Sequence, residues 1–228
     1  MPSINTNYGA AVALQSLNKT SAQLETTQNR ISTGLKVSSA KDNGAIFAIA
    51  TQQRANAASQ DAVRNSLQRG QSIVDVALAA GDTITSALEE MKSLAVSIQS
   101  SVAGSDAETA YLKDFNALGA EIATAISGAS FDGANSLTTP LGVASVTGLT
   151  GGSVARAGAT TAAVDAGIAT VTSSLATLGT QSKSLGRQIT FVNKLQDAME
   201  AGVGNLVDAD LAKESAKLTA LQTKQQLG

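Results

Sequence analysis

The chain has no histidine, no cysteine and no tryptophan, only 2 prolines, and aromatic residues at 3% of its 228 positions. Each absence closes off a kind of chemistry. Without cysteine there is neither a disulfide nor a thiol nucleophile, and without histidine or cysteine a typical zinc site and a Ser-His-Asp triad are excluded. The glycine-rich stretch from Gly142 to Gly158 contains no Gly-x-Gly-x-x-Gly, and no Gly-Lys-Ser/Thr follows it. A phosphate cradle and a nucleotide cofactor therefore have no sequence support, and no cofactor is expected. Charge is scarce too: 15% of residues are charged and the net charge is -2. That leaves no broad basic field of the kind that attracts phosphate backbones, so nucleic acid is not an expected partner. No apolar run approaches the roughly 20 residues of a bilayer span, so membrane insertion is not expected. The opening Met1-Pro2-Ser3-Ile4-Asn5 has neither the basic start nor the apolar core of a secretory signal. If the protein leaves the cell, it does so without a cleaved signal peptide.

What the chain does have is small and aliphatic side chains, 43% hydrophobic overall, arranged with helical spacing. One run reads Val63, Leu67, Gly70, Val74, Ala77, Gly81, Ile84, Leu88, Met91, Ala95, Ile98. Another reads Val164, Ile168, Val171, Leu175, Leu178, Ser182, Leu185, Ile189, Val192, Gln196, Met199, Val203, Leu206. Spacings alternating between four and three place each set in one stripe along a helix, the seam of a coiled coil. The expected fold class is mainly α: a long-helix coiled-coil hairpin or bundle, rod-shaped, with a small β-hairpin element. Helices are expected over about 4–35, 45–100, 106–127 and 162–206, with a further stripe over 211–228. Asp106 is the expected N-cap of the third. Gly202, Gly204 and Asn205 are expected to loosen the fourth near its end. Between about 128 and 161, Phe131-Asp132-Gly133 signals a turn and Pro140 with several glycines interrupts any helix. Leu141, Val143, Val146 and Leu149 there are read as short strands.

Asp208 and Asp210 are the one carboxylate pair that invites a catalytic or metal reading. Paired catalytic carboxylates need a cleft and perturbed surroundings, for which the sequence offers no sign, so the chain is read as not an enzyme. The seams at 63–98 and 164–206 are read as packing on one another within the chain. The weaker terminal stripes at 4–35 and 211–228, interrupted by Ser21, Gln28, Glu214 and Gln225, are read as the interface.

Four separated motifs then agree with this layout. Arg30-Ile31-Ser32-Thr33-Gly34-Leu35-Lys36-Val37-Ser38-Ser39-Ala40-Lys41-Asp42-Asn43-Gly44-Ala45 resembles the flagellin signature in which a terminal helix ends and the next opens. Met91-Lys92-Ser93-Leu94-Ala95-Val96 is similar to that family's Leu-Ala-Val stretch, and Phe131-Asp132-Gly133 to its Phe-Asn-Gly turn. Asp208-Ala209-Asp210, followed by Leu221-Gln222 and Gln225-Gln226-Leu227-Gly228, resembles its C-terminal signature. The resemblance covers about residues 1–137 and 160–228, and its flavour is that of short alphaproteobacterial flagellins lacking outer variable domains. Flagellins normally continue past the Gln-Gln-Leu-Gly stretch with an apolar tail, so the C-terminal end of the family pattern is expected to be missing.

The resemblance implies a structural subunit of the bacterial flagellar filament that self-assembles into a helical polymer for swimming motility. It implies an inner terminal coiled-coil domain formed by 1–36 and 212–228, incomplete in its C-terminal half. Spoke linkers at 37–44 and 203–211 would join this to a helical rod domain over 45–202 that carries the β-hairpin element at about 128–161. Leu14, Leu17, Leu24, Ile31, Leu218 and Leu221 are the expected assembly packing residues. Lys41, Asp42, Arg54, Asp208 and Asp210 are the expected polar contacts around the spokes. Implied partners are other flagellin subunits in a homopolymer, the flagellar export apparatus with its chaperone, and hook-associated proteins, at an extracellular location. Flagellins that the vertebrate innate flagellin receptor detects carry an arginine just ahead of the Leu-Ala-Val stretch, where this chain has Glu90, with Leu94 kept. The rival readings are a hook-filament junction protein, which shares the terminal domains, and a coiled-coil signalling rod of chemoreceptor type.

Overall fold

The computed structural model describes residues 7–138, 146–151 and 153–227. They form α1 (Tyr8–Thr33), α2 (Gly44–Ser100), α3 (Asp106–Gly128), the single turn α4 (Thr147–Thr150), α5 (Thr161–Val207) and α6 (Leu211–Leu227). Among the described residues there is no strand, only isolated antiparallel bridges between Leu35 and Asp208 and between Phe131 and Ala134. The mainly α coiled-coil bundle expected from the 4-3 spacing is thus the observed class. Of the residues read as strands, Val146 and Leu149 are fully buried around α4, where both the Leu149 and Thr150 amides donate to the Val146 carbonyl. Their apolar alternation reflects one buried helical turn, a pattern too short to separate from a strand by period. Leu141 and Val143 lie outside the described residues.

The chain divides into two compact units, residues 63–192 and residues 1–62 with 193–228, and both α2 and α5 contribute to each. In the unit of residues 63–192, α2 and α5 run antiparallel. Gly70 faces Leu185, Gly81 faces Leu175, and Lys92 Nζ lies 2.6 Å from Asp165 Oδ1. Every position of the first seam from Val74 to Ile98 is buried, and Val164, Val171 and Leu178 meet it from α5. Phe115 and Ile122 of α3, with Leu137, Val146 and Leu149, close the same core. Gly81 is small for a reason of space: a Cβ there would run into the Leu175 side chain.

Gly119 carries a stronger constraint, since a Cβ on it would collide with the backbone carbonyl of Leu149, which cannot rotate away. Glycine inside an exposed helix ordinarily costs about 1 kcal/mol against alanine. Gly119→Ala is therefore expected to reverse the usual sign and destabilise by about 1–3 kcal/mol, the cost of overpacking. Gly186, exposed on α5 with nothing near its missing side chain, is the control. Gly186→Ala should stabilise by about 0.5–1 kcal/mol. Urea denaturation of the two variants reads both signs.

Local chemistry sets the helix ends. The N-cap of α3 is Ser105, not Asp106: the Ser105 hydroxyl accepts from the Glu108 amide at 3.2 Å, which leaves Asp106 as the first helical residue. Both fit the helix N-terminus, but the serine is the residue in extended conformation, as a cap must be. At Phe131–Ala134 the two end residues exchange backbone hydrogen bonds of 2.9 and 3.0 Å around Asp132 at φ 52° and Gly133 at φ 75°. Two central residues at positive φ define a type I′ turn. The loop after it is stapled by Asn135, whose amide donates to the Ile126 carbonyl and whose Oδ1 accepts from Leu137 and Thr138.

In the unit of residues 1–62 and 193–228, α1 pairs with α6. A small apolar core of Val37, Ala50, Val203 and Val207 sits beside it, flanked by Leu35, Ile46 and Phe47. The expected loosening at Gly202, Gly204 and Asn205 does not occur, because α5 continues to Val207. Burial of Val203 and Val207 in that core outweighs the weak helix propensity of two glycines.

Candidate functional site

Two of the four family-like motifs, residues 30–45 and the segment at 208–210, meet at one elbow. Helix α1 ends on Gly34, whose φ of 71° is a left-handed conformation that a glycine adopts without strain. The chain then runs alongside the end of α5: the Val207 carbonyl accepts from the amides of Lys36 (2.6 Å) and Val37 (3.3 Å), and the Ala209 amide donates to Gly34 at 2.9 Å. Next comes a tight turn built by one carboxylate. Asp42 Oδ2 accepts from the Ser38 amide and hydroxyl at 3.0 Å each, the Ser39 amide at 3.0 Å and the Ser39 hydroxyl at 3.2 Å. Asn43 then caps α2, its Oδ1 accepting from the Ile46 amide at 3.1 Å. On the other side, Asp210 caps α6 by accepting from the Lys213 amide at 3.1 Å.

Of the residues expected to make spoke contacts, Asp42 and Asp210 therefore act within the chain, as a turn clamp and a helix cap. Asp208 takes part in the bridge to Leu35. Lys41 and Arg54 are exposed, and among the described residues neither is a side-chain partner of Asp42, Asp208 or Asp210. Asn43 is a cap that the motif resemblance does not single out, although an asparagine directly ahead of an apolar helical run is a start signal.

The terminal hairpin departs further from a simple leucine seam. On α1 the buried positions are Thr20 and Thr27, while Leu14 is 60% and Leu17 38% exposed. Leu24, Ile31 and Leu218 are half-buried, and Leu221 is buried. Leu17 and Thr20 line an open groove with Ala13, Ser16, Ala220, Thr223 and Lys224. Small and hydroxylated residues thus stand along the α1–α6 contact, while Leu14 and Leu17 stay exposed on its flank. Near the elbow Arg30 Nη1 pairs with Glu214 Oε1 at 3.1 Å.

Glu90 is exposed on α2 and Leu94 half-buried, in a shallow groove with Ser93 and, from α3, Asp114, Ala117 and Leu118. Asp114 thus adds a second carboxylate beside Glu90.

Three polar side chains unforeseen from the sequence hold the non-helical segment around residues 153–160. Asn116 accepts from the Val154 amide at 2.7 Å, Gln99 Nε2 donates to the carbonyls of Arg156 and Ala159, and Arg156 donates to the carbonyls of Ser101 and Gln99. Arg156 also meets Glu108 at 3.2 Å. Glu108 further accepts from the Gly104 amide. That amide, then the Arg156 guanidinium, holds the Glu108 carboxyl below its usual 4.5 against the opposing effect of desolvation. A carboxyl whose folded value is depressed adds stability above its ordinary value and loses it as pH falls through the folded value. Asp42 is lowered in the same sense, first by the Ser38 hydroxyl and then by the Ser39 and Ser38 amides. Acid should thus loosen the 99–108 corner and the 38–42 turn. Glu108→Gln should flatten the pH dependence of melting between pH 5 and 3, a window set by the ordinary carboxylate values. An unchanged slope in calorimetry would remove Glu108 from that account.

This geometry defines a long-helix coiled-coil structural protein whose first and last helices pair beside a capped, hydrogen-bonded elbow. The family model of the bacterial flagellin N-terminal helical region matches residues 4–139, and that of the bacterial flagellin C-terminal helical region matches residues 161–228. The chain belongs to the bacterial flagellins, and its function is that of a structural subunit of the flagellar filament. Among its relatives, flagellin FljK of Caulobacter vibrioides is 48% identical, with 99% of this chain and 92% of the relative covered. Flagellin FljM of the same organism is 50% identical over the same shares. A flagellin of Brucella melitensis is 36% identical, with 100% and 93% covered. The chain is thus similar to short flagellins of alphaproteobacteria.

Proposed function

We propose that this subunit polymerises through its terminal hairpin, residues 1–36 with 212–228. In this reading 37–44 and 203–211 are spoke linkers and 45–202 the rod domain. The observation that carries the reading is the exposed apolar flank of α1, where Val12, Leu14 and Leu17 stand out beside buried threonines. A pair of helices with so little core of its own gains structure when neighbours cover that flank, so folding and docking become one step. Repeated contacts that do not close on themselves produce a helical filament. The subunit is not an enzyme. It is exported without a cleaved signal peptide by the flagellar apparatus with a chaperone, and it joins other flagellin subunits and hook-associated proteins outside the cell. No helix of the described residues is long and apolar enough to cross a membrane. Electron microscopy of the protein after salting-out tests the reading: long filaments support it, whereas caps or short oligomers favour a hook-filament junction role.

The groove at Glu90 and Leu94 supports weak or absent activation of the vertebrate innate flagellin receptor, because two carboxylates stand where a basic side chain is favoured. Strong signalling at nanomolar protein in a reporter cell would contradict this, and Glu90→Arg should raise the response.

A further inference from the structure

We propose that Arg30 and Glu214 are positioning residues that fix how α1 and α6 are rotated and registered against each other, and that they give specificity at the expense of stability. The inference deepens the reading of this hairpin as the assembly element and rests on it.

Three observations carry it. The pair is largely enclosed, with side-chain exposures of 28% for Arg30 and 12% for Glu214. It is also incompletely satisfied: Arg30 Nε and Glu214 Oε2 are buried without a hydrogen-bond partner, as is Thr27 Oγ1 one turn earlier on α1. Such a pair contributes little net stability, because removing two charges from water offsets their attraction, yet removing one partner alone strands a buried charge. The surrounding seam, finally, is a poor guide to alignment. Its buried α1 positions are the two threonines Thr20 and Thr27, one heptad apart, with Leu221 buried opposite on α6. Near-identical small residues repeating at seven would accept a slip or a rotation at little cost, and a single polar contact in a coiled coil is a known way to prevent that.

The elbow alone does not suffice. The hydrogen bonds among Gly34, Lys36, Val37, Val207 and Ala209 fix the height of the chain at one end. They leave each helix able to turn about its own axis. A second anchor beyond the elbow removes that freedom and sends Leu14 and Leu17 to one defined side. The pair suits its place, with Arg30 in the last turn of α1 and Glu214 in the first turn of α6. Each charge thus meets the favourable end of its helix dipole.

The chain has no cysteine, so spin labels can be attached at Gln23→Cys and Gln222→Cys. Both positions are exposed and lie across the hairpin in the register set by Arg30 and Glu214. Labelled full-length protein, diluted into unlabelled protein, is measured by pulsed dipolar spectroscopy before and after salting-out, with microscopy of the same samples. In filaments the parent protein should give one narrow distance, sharper than in the soluble subunit, whose hairpin has not completed its folding. Arg30→Met or Glu214→Leu alone should lose that peak. The double variant Arg30→Met/Glu214→Leu should recover helix content yet give a broad or split distribution, since a slip of one seven-residue repeat moves a label by about 10 Å along the axis. The exchange Arg30→Glu/Glu214→Arg should restore the single distance with lower helix stability, because both charges then sit at the wrong helix ends. A single narrow native distance in the apolar double variant overturns the proposal, as does failure of the charge exchange to restore one. Filaments seen or absent in the micrographs report separately on the polymerisation reading.

Discussion

Replacing Leu14 and Leu17 together by aspartate is expected to abolish filament growth while leaving the melting of residues 63–192 unchanged. Both leucines are exposed in the subunit, and substitutions at such positions usually alter stability by less than about 0.5 kcal/mol. In a filament they would be covered. Burying a fully exposed leucine contributes about 1.5–3 kcal/mol, and the exposed parts of Leu14 (60%) and Leu17 (38%) together amount to about one such leucine, so about 1.5–3 kcal/mol per subunit is lost before the cost of dehydrating two carboxylates. At about 1.4 kcal/mol per tenfold, the concentration needed for assembly rises by at least about tenfold, and further with the cost of the carboxylates. Sedimentation after salting-out, with calorimetry of the soluble variant, separates the two effects. Pelleting at the parental concentration would show that this flank is not the contact.

The opposite pattern is expected for Phe115→Ala. Phe115 is fully buried where α3 meets the α2 and α5 seam, within a core otherwise built of aliphatic side chains. Truncating such a ring removes its transfer free energy and leaves a cavity, with a combined cost of about 3–5 kcal/mol. The melting temperature of this unit should fall by on the order of 10 °C. A fall of one or two degrees would mean that the surrounding helices collapse into the gap.

The contrast between these substitutions follows what the sequence could reveal. The seam from Val74 to Ile98 is legible because each of its positions faces the same partner within the chain, so the 4-3 spacing maps directly onto burial. At the C-terminal end of the other seam the spacing points to Leu206, yet Val207 is buried and Leu206 is partly exposed. A helix of 3.6 residues per turn drifts from a strict seven-residue repeat, so counting alone misplaces the face over a long run. The terminal stripe misleads differently. Leu14 and Leu17 mark a face of α1 that the isolated subunit does not bury, while Thr20 and Thr27 mark the face that it does, and threonine carries no apolar signal to a reader of hydropathy. The elbow was visible as a motif before its physics was. Asp42, Asn43 and Asp210 stand out by family resemblance, and only the hydrogen bonds show that one clamps a turn and the others cap helices. Gln99, Asn116 and Arg156 were not legible at all, because each satisfies backbone groups that lie about forty or more positions away in the chain.

Hydrogen exchange by mass spectrometry, on soluble subunits and on filaments, tests the central claim that the terminal hairpin completes its folding on assembly. Amides of residues 74–98 should be protected in both states, since their packing lies within the chain. Amides of α1 and α6 should exchange quickly in the soluble subunit and become strongly protected in the filament. Equal, strong protection of α1 and α6 in both states would contradict the account, because the hairpin would then be a finished domain that docks as a rigid body.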